Sequence, residues 1–227
     1  MNLKDIPGTY WLLGTIVVVF IIQIIAAAAG FPFTELLLLY PAAVVQGQMI
    51  WGILSSIFLH SFAPFHILFN GFVLYMFGLH LERIIGKTNL LKVFFASGIF
   101  ASIFYVLTTY FILDSAVPAL GASGAIFGIL GAMMALRPKT KILLYFFVPM
   151  QLWMLGIFIT ILAVFWFGTG GAGGVAENAH LGGLMAGLVM GLYFRKKEKD
   201  DTDYSWRAVY STPTIKEDPY DWIDNYR

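Results

Sequence analysis

His66, Asn70, Ser123 and His180 are polar side chains set within otherwise apolar stretches of the chain. A serine hydroxyl is a weak nucleophile until a base removes its proton, and imidazole has the ordinary pKa suited to that work near neutrality. Ser123 and His180 therefore supply a nucleophile and a general base. His66 and Asn70, at i and i+4, share one helix face and can donate hydrogen bonds to a developing oxyanion. In a site shielded from bulk water such donors stabilise the transition state by about 3 kcal/mol each. This set suits acyl transfer and lacks only a carboxylate partner for the histidine. Glu177, one turn before His180, reads better as a solvated rim residue than as that partner, and Asp114 falls in a predicted loop.

Each residue also has a plainer reading. Serine in a membrane helix commonly hydrogen-bonds its own i−4 carbonyl, and Gly121–Gly128, with one hydroxyl among small residues, reads as well as a packing seam. Histidine inside a span is rarer and is a functional candidate by default. His60 reads as a loop residue near the rim of the site, and His80 as a structural residue at the far end of its helix.

The elements that must position these groups are membrane spans. Of the 227 residues, 59% are hydrophobic and only 12% charged, against about 25% charged in soluble domains. With no cysteine, disulfides, thiolate metal sites and a cysteine nucleophile are excluded, and a net charge of +1 does not point to nucleic acid. Six segments are long and apolar enough to span: 10–29, 64–82, 90–110, 119–136, 143–166 and 176–194. The first is longer than the apolar core of a signal peptide, roughly 7–15 residues, and reads as a span. Residues 30–63, broken by Pro32, Pro41, Gly47 and Gly52, read as a long interfacial loop with short helices. All 14 basic residues avoid 30–63, 111–118 and 167–175, which places both termini in the cytoplasm under the positive-inside rule.

Spans two, four and six then run in the same direction, so His66, Asn70, Ser123 and His180 share one depth near the outer boundary. Gly124 and Gly128 on span four, and Gly183 and Gly187 on span six, form small-xxx-small pairs that let helices approach closely enough for a serine to reach a histidine. Phe127, one turn below Ser123, is placed to pack on the imidazole.

Gly121-Ala122-Ser123-Gly124, Ala179-His180-Leu181-Gly182-Gly183 with Gly187, and His66-Ile67-Leu68-Phe69-Asn70 together resemble the rhomboid intramembrane serine proteases. The resemblance extends over residues 10–195 and implies an all-α polytopic protein, a six-helix bundle with a long interfacial loop between its first two spans. It further implies Ser123 as nucleophile and His180 as base, in a dyad without an acid. The Ser123 amide, His66 and Asn70 would form the oxyanion hole. Family members cleave transmembrane segments of other membrane proteins near the outer face and need no metal or cofactor. Two departures stand out: Trp51-Gly52 replaces a common Trp-Arg, and Pro64 lengthens the His60–His66 spacing by one residue.

The expectation is thus a protease domain over 1–195, a multi-pass protein of the cell membrane, with a cytoplasmic tail over 196–227. Its partners would be the bilayer and transmembrane substrates. Rival readings are an inactive relative that binds membrane helices and a small-molecule transporter; the scarcity of charge within the spans speaks against the second.

Overall fold

The computed structural model describes residues 6–144, 148–158, 161 and 174–211. Most of these are helical. Helix α1 (Gly8–Ala28) is followed by three short helices, α2 (Phe33–Leu37), α3 (Pro41–Val45) and α4 (Gly52–Ser55), and by a 3-10 turn over Ser56–Phe58. Then α5 (Pro64–Val73) continues through a π turn at Leu74–Gly78 into α6 (Leu79–Ile85), so Pro64–Ile85 is one helix of 22 residues. Next come α7 (Lys87–Phe111), α8 (Ser123–Leu136), a helical stretch α9 over 152–158, and α10 (Gly174–Ser211).

Among the described residues, Gly8–Ala28, Pro64–Ile85 and Lys87–Phe111 are long and apolar enough to cross a membrane. Their outward faces are apolar, with Ile25, Phe65, Leu68 and Leu107 all exposed. In water such faces would be unstable; hydrocarbon is the solvent they fit.

Helix α8 is the centre of the bundle: from Gly124 to Leu136 every residue but Phe127 and Met134 is buried. Two neighbours enclose it. A Cβ added to Gly183 or Gly187 of α10 would overlap the carbonyl oxygen of Gly124 or Gly128, and one on Gly191 would lie 2.5 Å from Ala132 O. Gly124 and Gly128 of α8 face elsewhere: a Cβ on Gly124 would come within 2.7 Å of Ala101 Cβ, and one on Gly128 would overlap Ser97, both on α7. Gly131 of α8 joins the seam, since a Cβ there would overlap the Leu184 carbonyl oxygen of α10. The seam is therefore glycine on backbone from both helices, with Gly124 and Gly128 making room for α7.

At the opposite end of the molecule, Glu82 fastens α1 to α6. Its carboxylate accepts from the Gly8 and Thr9 amides (2.6 and 2.9 Å) and from the Thr9 hydroxyl (2.7 Å). These are otherwise unpaired first-turn donors, at the end of the helix dipole that favours a negative charge.

One expectation is corrected. The apolar stretch opening at 143 is not helical from its start: Lys141–Leu144 (β1) pairs antiparallel with Val148–Gln151 (β2), and helix begins at 152. A short apolar run does not distinguish strand from helix by periodicity, and Pro149 lacks the amide a helix interior needs. The rest of the predicted 143–166 span falls largely outside the described residues. Helix α10 runs through residue 195 to Ser211; residues 212–227 lie outside the described residues.

Candidate active site

Ser123 is the first residue of α8, preceded by Gly121, whose φ of +126° is a conformation that side-chain-bearing residues rarely adopt. The turn into the helix is held from the 30–63 loop. Leu39 and Ala119 exchange backbone hydrogen bonds (3.0 and 2.9 Å), and the Gly121 amide donates to Ser56 O (2.9 Å). The loop is thus a scaffold for the serine as well as a surface feature. Gly52 belongs to the same scaffold: a Cβ there would sit 2.6 Å from Leu38 O, leaving no room for a longer side chain after Trp51. Trp51 itself anchors the loop by donating from Nε1 to Leu36 O (2.8 Å).

His180, one turn and a half into α10, places Nε2 2.8 Å from Ser123 Oγ. Phe127 lies flat on the imidazole, with ring centroids 4.3 Å apart and planes 6° from parallel. At the other edge of the ring, Nδ1 lies 3.3 Å from Glu177 Oε2. Glu177 is therefore at the imidazole, not merely at the rim where the sequence reading put it.

His66 approaches from α5. Its Nδ1 lies 2.9 Å from Ser61 Oγ and accepts from the Ser61 amide at 3.3 Å. An amide only donates, so the ring hydrogen is on Nε2. Nε2 and the serine hydroxyl border the same space: the point a Gly121 Cβ would occupy is 3.2 Å from His66 Nε2 and 3.7 Å from Ser123 Oγ. Asn70, one turn further along, is buried, and its Nδ2 has no hydrogen-bond partner. It is an unused donor on the same helix face. A small cavity of roughly 50 Å³ lies behind the serine, lined by Ser56, Ser102, Gly98, Ala101 and Gly121 among others.

Three supporting residues escaped the sequence reading. Asn178 is buried and donates to Thr108 Oγ1 (2.7 Å) and Thr109 Oγ1 (3.0 Å), tying the N-terminal part of α10 to α7 two residues before His180. Gln23, buried in α1, clamps the His60 backbone from both sides, accepting from its amide (3.0 Å) and donating to its carbonyl (3.1 Å). Ser61 follows directly and holds His66. An amide side chain inside an apolar span was the available clue to Gln23, as was one in the N-terminal part of α10 to Asn178. His60 is not a rim residue: it is fully buried, its ring 5.2 Å from that of His66. Burial, reinforced by His66, lowers its pKa to about 4 despite a hydrogen bond to Phe58 O.

Fold and site define a polytopic helical membrane protein in which one helix seats a serine hydroxyl on an imidazole from the next. A family model described as the Rhomboid domain matches residues 47–197, well over half of the chain. The chain belongs to the rhomboid family. It is 35% identical over 150 residues to Rhomboid protein 1, mitochondrial, of Saccharomyces cerevisiae, covering 64% of this chain and 42% of that protein. It is 33% identical over 147 residues to Rhomboid protease GluP of Bacillus subtilis, covering 64% and 26%. A third relative is named Inactive RHOMBOID-like protein 8, of Arabidopsis thaliana, 34% identical over 97 residues and covering 43% and 26%. The chain thus spans less than two thirds of the length of each of these relatives.

Proposed function

We propose that this chain is an intramembrane serine endopeptidase, cleaving transmembrane segments of other membrane proteins near the outer face through a Ser123–His180 dyad. The observation that carries the reading is the 2.8 Å contact between Ser123 Oγ and His180 Nε2, made between helices whose glycines bring their backbones together.

Ser123 Oγ attacks the scissile carbonyl as its proton passes to His180 Nε2. The resulting oxyanion is met by the Ser123 amide, the His66 Nε2–H and the Asn70 Nδ2–H. His180 then gives its proton to the departing amine, and water resolves the acyl-enzyme by the reverse sequence. The cavity behind Ser123 supplies room for that water beside two further hydroxyls.

The setting is a six-span protease domain over 1–195 in the cell membrane, with both termini and the 196–227 tail in the cytoplasm. Helix α8 has 14 residues, a rise of ~21 Å against a hydrocarbon core of ~30 Å. With its C-terminal end at the inner boundary, Ser123 is sunk below the outer one. A substrate helix hides its carbonyls until it unwinds, so segments of weak helix propensity at that depth are the preferred substrates.

The test is cleavage of a single-span substrate in liposomes by wild type, Ser123→Ala and His180→Ala. Wild type cleaves and both variants lose at least about a thousandfold in rate. Undiminished cleavage by either variant would sink the dyad. If the wild type neither cleaves nor labels at Ser123 with a fluorophosphonate, the chain is instead a non-catalytic rhomboid that binds membrane helices.

A further inference from the structure

We propose that Glu177 is a positioning residue for the imidazole, making the site a Ser123–His180–Glu177 relay in which the carboxylate fixes the tautomer and orientation of His180. The inference rests on the Ser123–His180 reading and adds a third member to it.

The imidazole keeps some freedom at its seat. Stacking on Phe127 fixes the imidazole plane, but a half-turn about the Cβ–Cγ bond preserves that plane and exchanges each nitrogen with a carbon. Stacking therefore leaves two orientations and, in each, two neutral tautomers. Only one of the four presents a nitrogen lone pair to Ser123 Oγ from Nε2 while carrying the ring hydrogen on Nδ1. That state is the one in which the ring can take the serine proton.

Glu177 selects this state. Its Oε2 lies 3.3 Å from Nδ1 while Ser123 Oγ lies 2.8 Å from Nε2, so the two partners hold opposite edges of one ring. A carboxylate can only accept, so the hydrogen must be on Nδ1 and the lone pair on Nε2. The half-turned ring would put carbon against both oxygens and lose both contacts. The spacing is local: residues three apart on a helix are neighbours, so α10 carries base and acid on one face without help from another element.

Among the described residues, the surroundings leave Glu177 as the partner for this edge. The α8 groups at the ring, Ser123 and Phe127, carry no charge. The other titratable group facing the site, His66 from α5, uses its Nδ1 toward Ser61 and accepts nothing from His180. Asn178, adjacent to Glu177, is engaged with Thr108 and Thr109. Both members of the pair are partly shielded, with side chains 17% (His180) and 28% (Glu177) exposed. Water therefore weakens the contact without replacing it, and the effect is smaller than for a fully buried acid.

The experiment is ¹⁵N NMR of histidine-labelled protein in micelles, with His180 assigned by its loss in His180→Asn, alongside steady-state kinetics of Glu177→Ala. In the wild type His180 is protonated at Nδ1 and bare at Nε2. In Glu177→Ala the Nε2-protonated tautomer becomes the major form, and kcat falls on the order of tenfold with KM within about twofold. A merely structural role for Glu177 would leave the tautomer unchanged. Wild-type His180 protonated at Nε2, or Glu177→Ala with an unchanged kcat, overturns the proposal. Should Glu177→Ala not fold, Glu177→Gln, which keeps the shape and removes the charge, is read in the same way: a shift of the tautomer toward Nε2 supports the proposal and no shift overturns it, whether or not a substrate is cleaved. Failure of wild-type cleavage and Ser123 labelling counts separately, against the dyad.

Discussion

Phe127 and His180 lie face to face, 4.3 Å between ring centroids and 6° from parallel, so a residue of α8 sets the plane of the imidazole that α10 brings to the same helix. The serine and the ring's support come from a single turn, and any shift of α8 moves both together. An aromatic pair of this kind stabilises by about 1 kcal/mol beyond its burial. Phe127→Ala is accordingly expected to slow fluorophosphonate labelling of Ser123 by about fivefold to tenfold while the protein stays folded. Phe127→Leu, which keeps bulk without a ring face, falls between Ala and wild type.

The glycine seam predicts a steep dependence on a single methyl group. A Cβ on Gly187 would overlap the Gly128 carbonyl oxygen, whereas one on Gly14 of α1 meets nothing within 4 Å. Gly187→Ala should lower stability by about 3 kcal/mol, read as the thermal unfolding midpoint in detergent, and abolish activity by separating His180 from Ser123. Gly14→Ala should match or slightly exceed wild type, since alanine favours helix by about 1 kcal/mol. Gly128→Leu should inactivate too, but through collision with Ser97 of α7 rather than with α10.

Gln23 couples α1 to His66, the proposed oxyanion donor, by way of the His60 backbone and Ser61. Gln23→Leu leaves a buried amide and carbonyl of His60 without partners, at a cost of about 2 kcal/mol in thermal stability. Because Ser61 loses its anchor, the hydrogen bonds at His66 Nδ1 weaken as well. Turnover of a single-span substrate should therefore fall more than KM rises.

The pH dependence follows from His60. Its folded-state pKa of about 4 lies below the ordinary 6.5, so between these values the unfolded chain holds a proton that the folded one does not. Stability is full above pH 6.5 and declines as pH falls toward 4. The total loss is about 3 kcal/mol from this one group. Thermal unfolding from pH 7.5 to 4.5 measures it, and His60→Leu should remove that part of the slope.

How far the sequence reached can be judged from particular residues. The ends of the first three spans fell within a few residues of α1, of Pro64–Ile85 and of α7. Length and hydropathy suffice there, because hydrocarbon admits backbone only as helix or closed barrel. The pairing of β1 with β2 was not legible, since most of their residues are as apolar as those of a helix and only pairing distinguishes them. Ser123, His66, Asn70 and His180 were singled out because polar groups in apolar segments are costly and so conspicuous. Ser61 lies in a loop where a serine draws no notice, and His60 reads as a loop residue near the rim because position in a loop says nothing about what packs over it.

The sequence by itself determined residue types and spacing: a serine, two histidines and an asparagine set in apolar segments, with small residues spaced to allow close helices. It did not determine the rotation of each helix about its axis, because any rotation preserves spacing along the chain. That rotation was decided by tertiary packing, in which Gly183, Gly187 and Gly191 settle on the backbone of α8 and leave one face of α10 turned toward Ser123. The same rotation brings Nε2 of His180 to the serine and leaves Nδ1 to Glu177. A residue that looks like rim in one dimension thereby becomes a neighbour of the base in three.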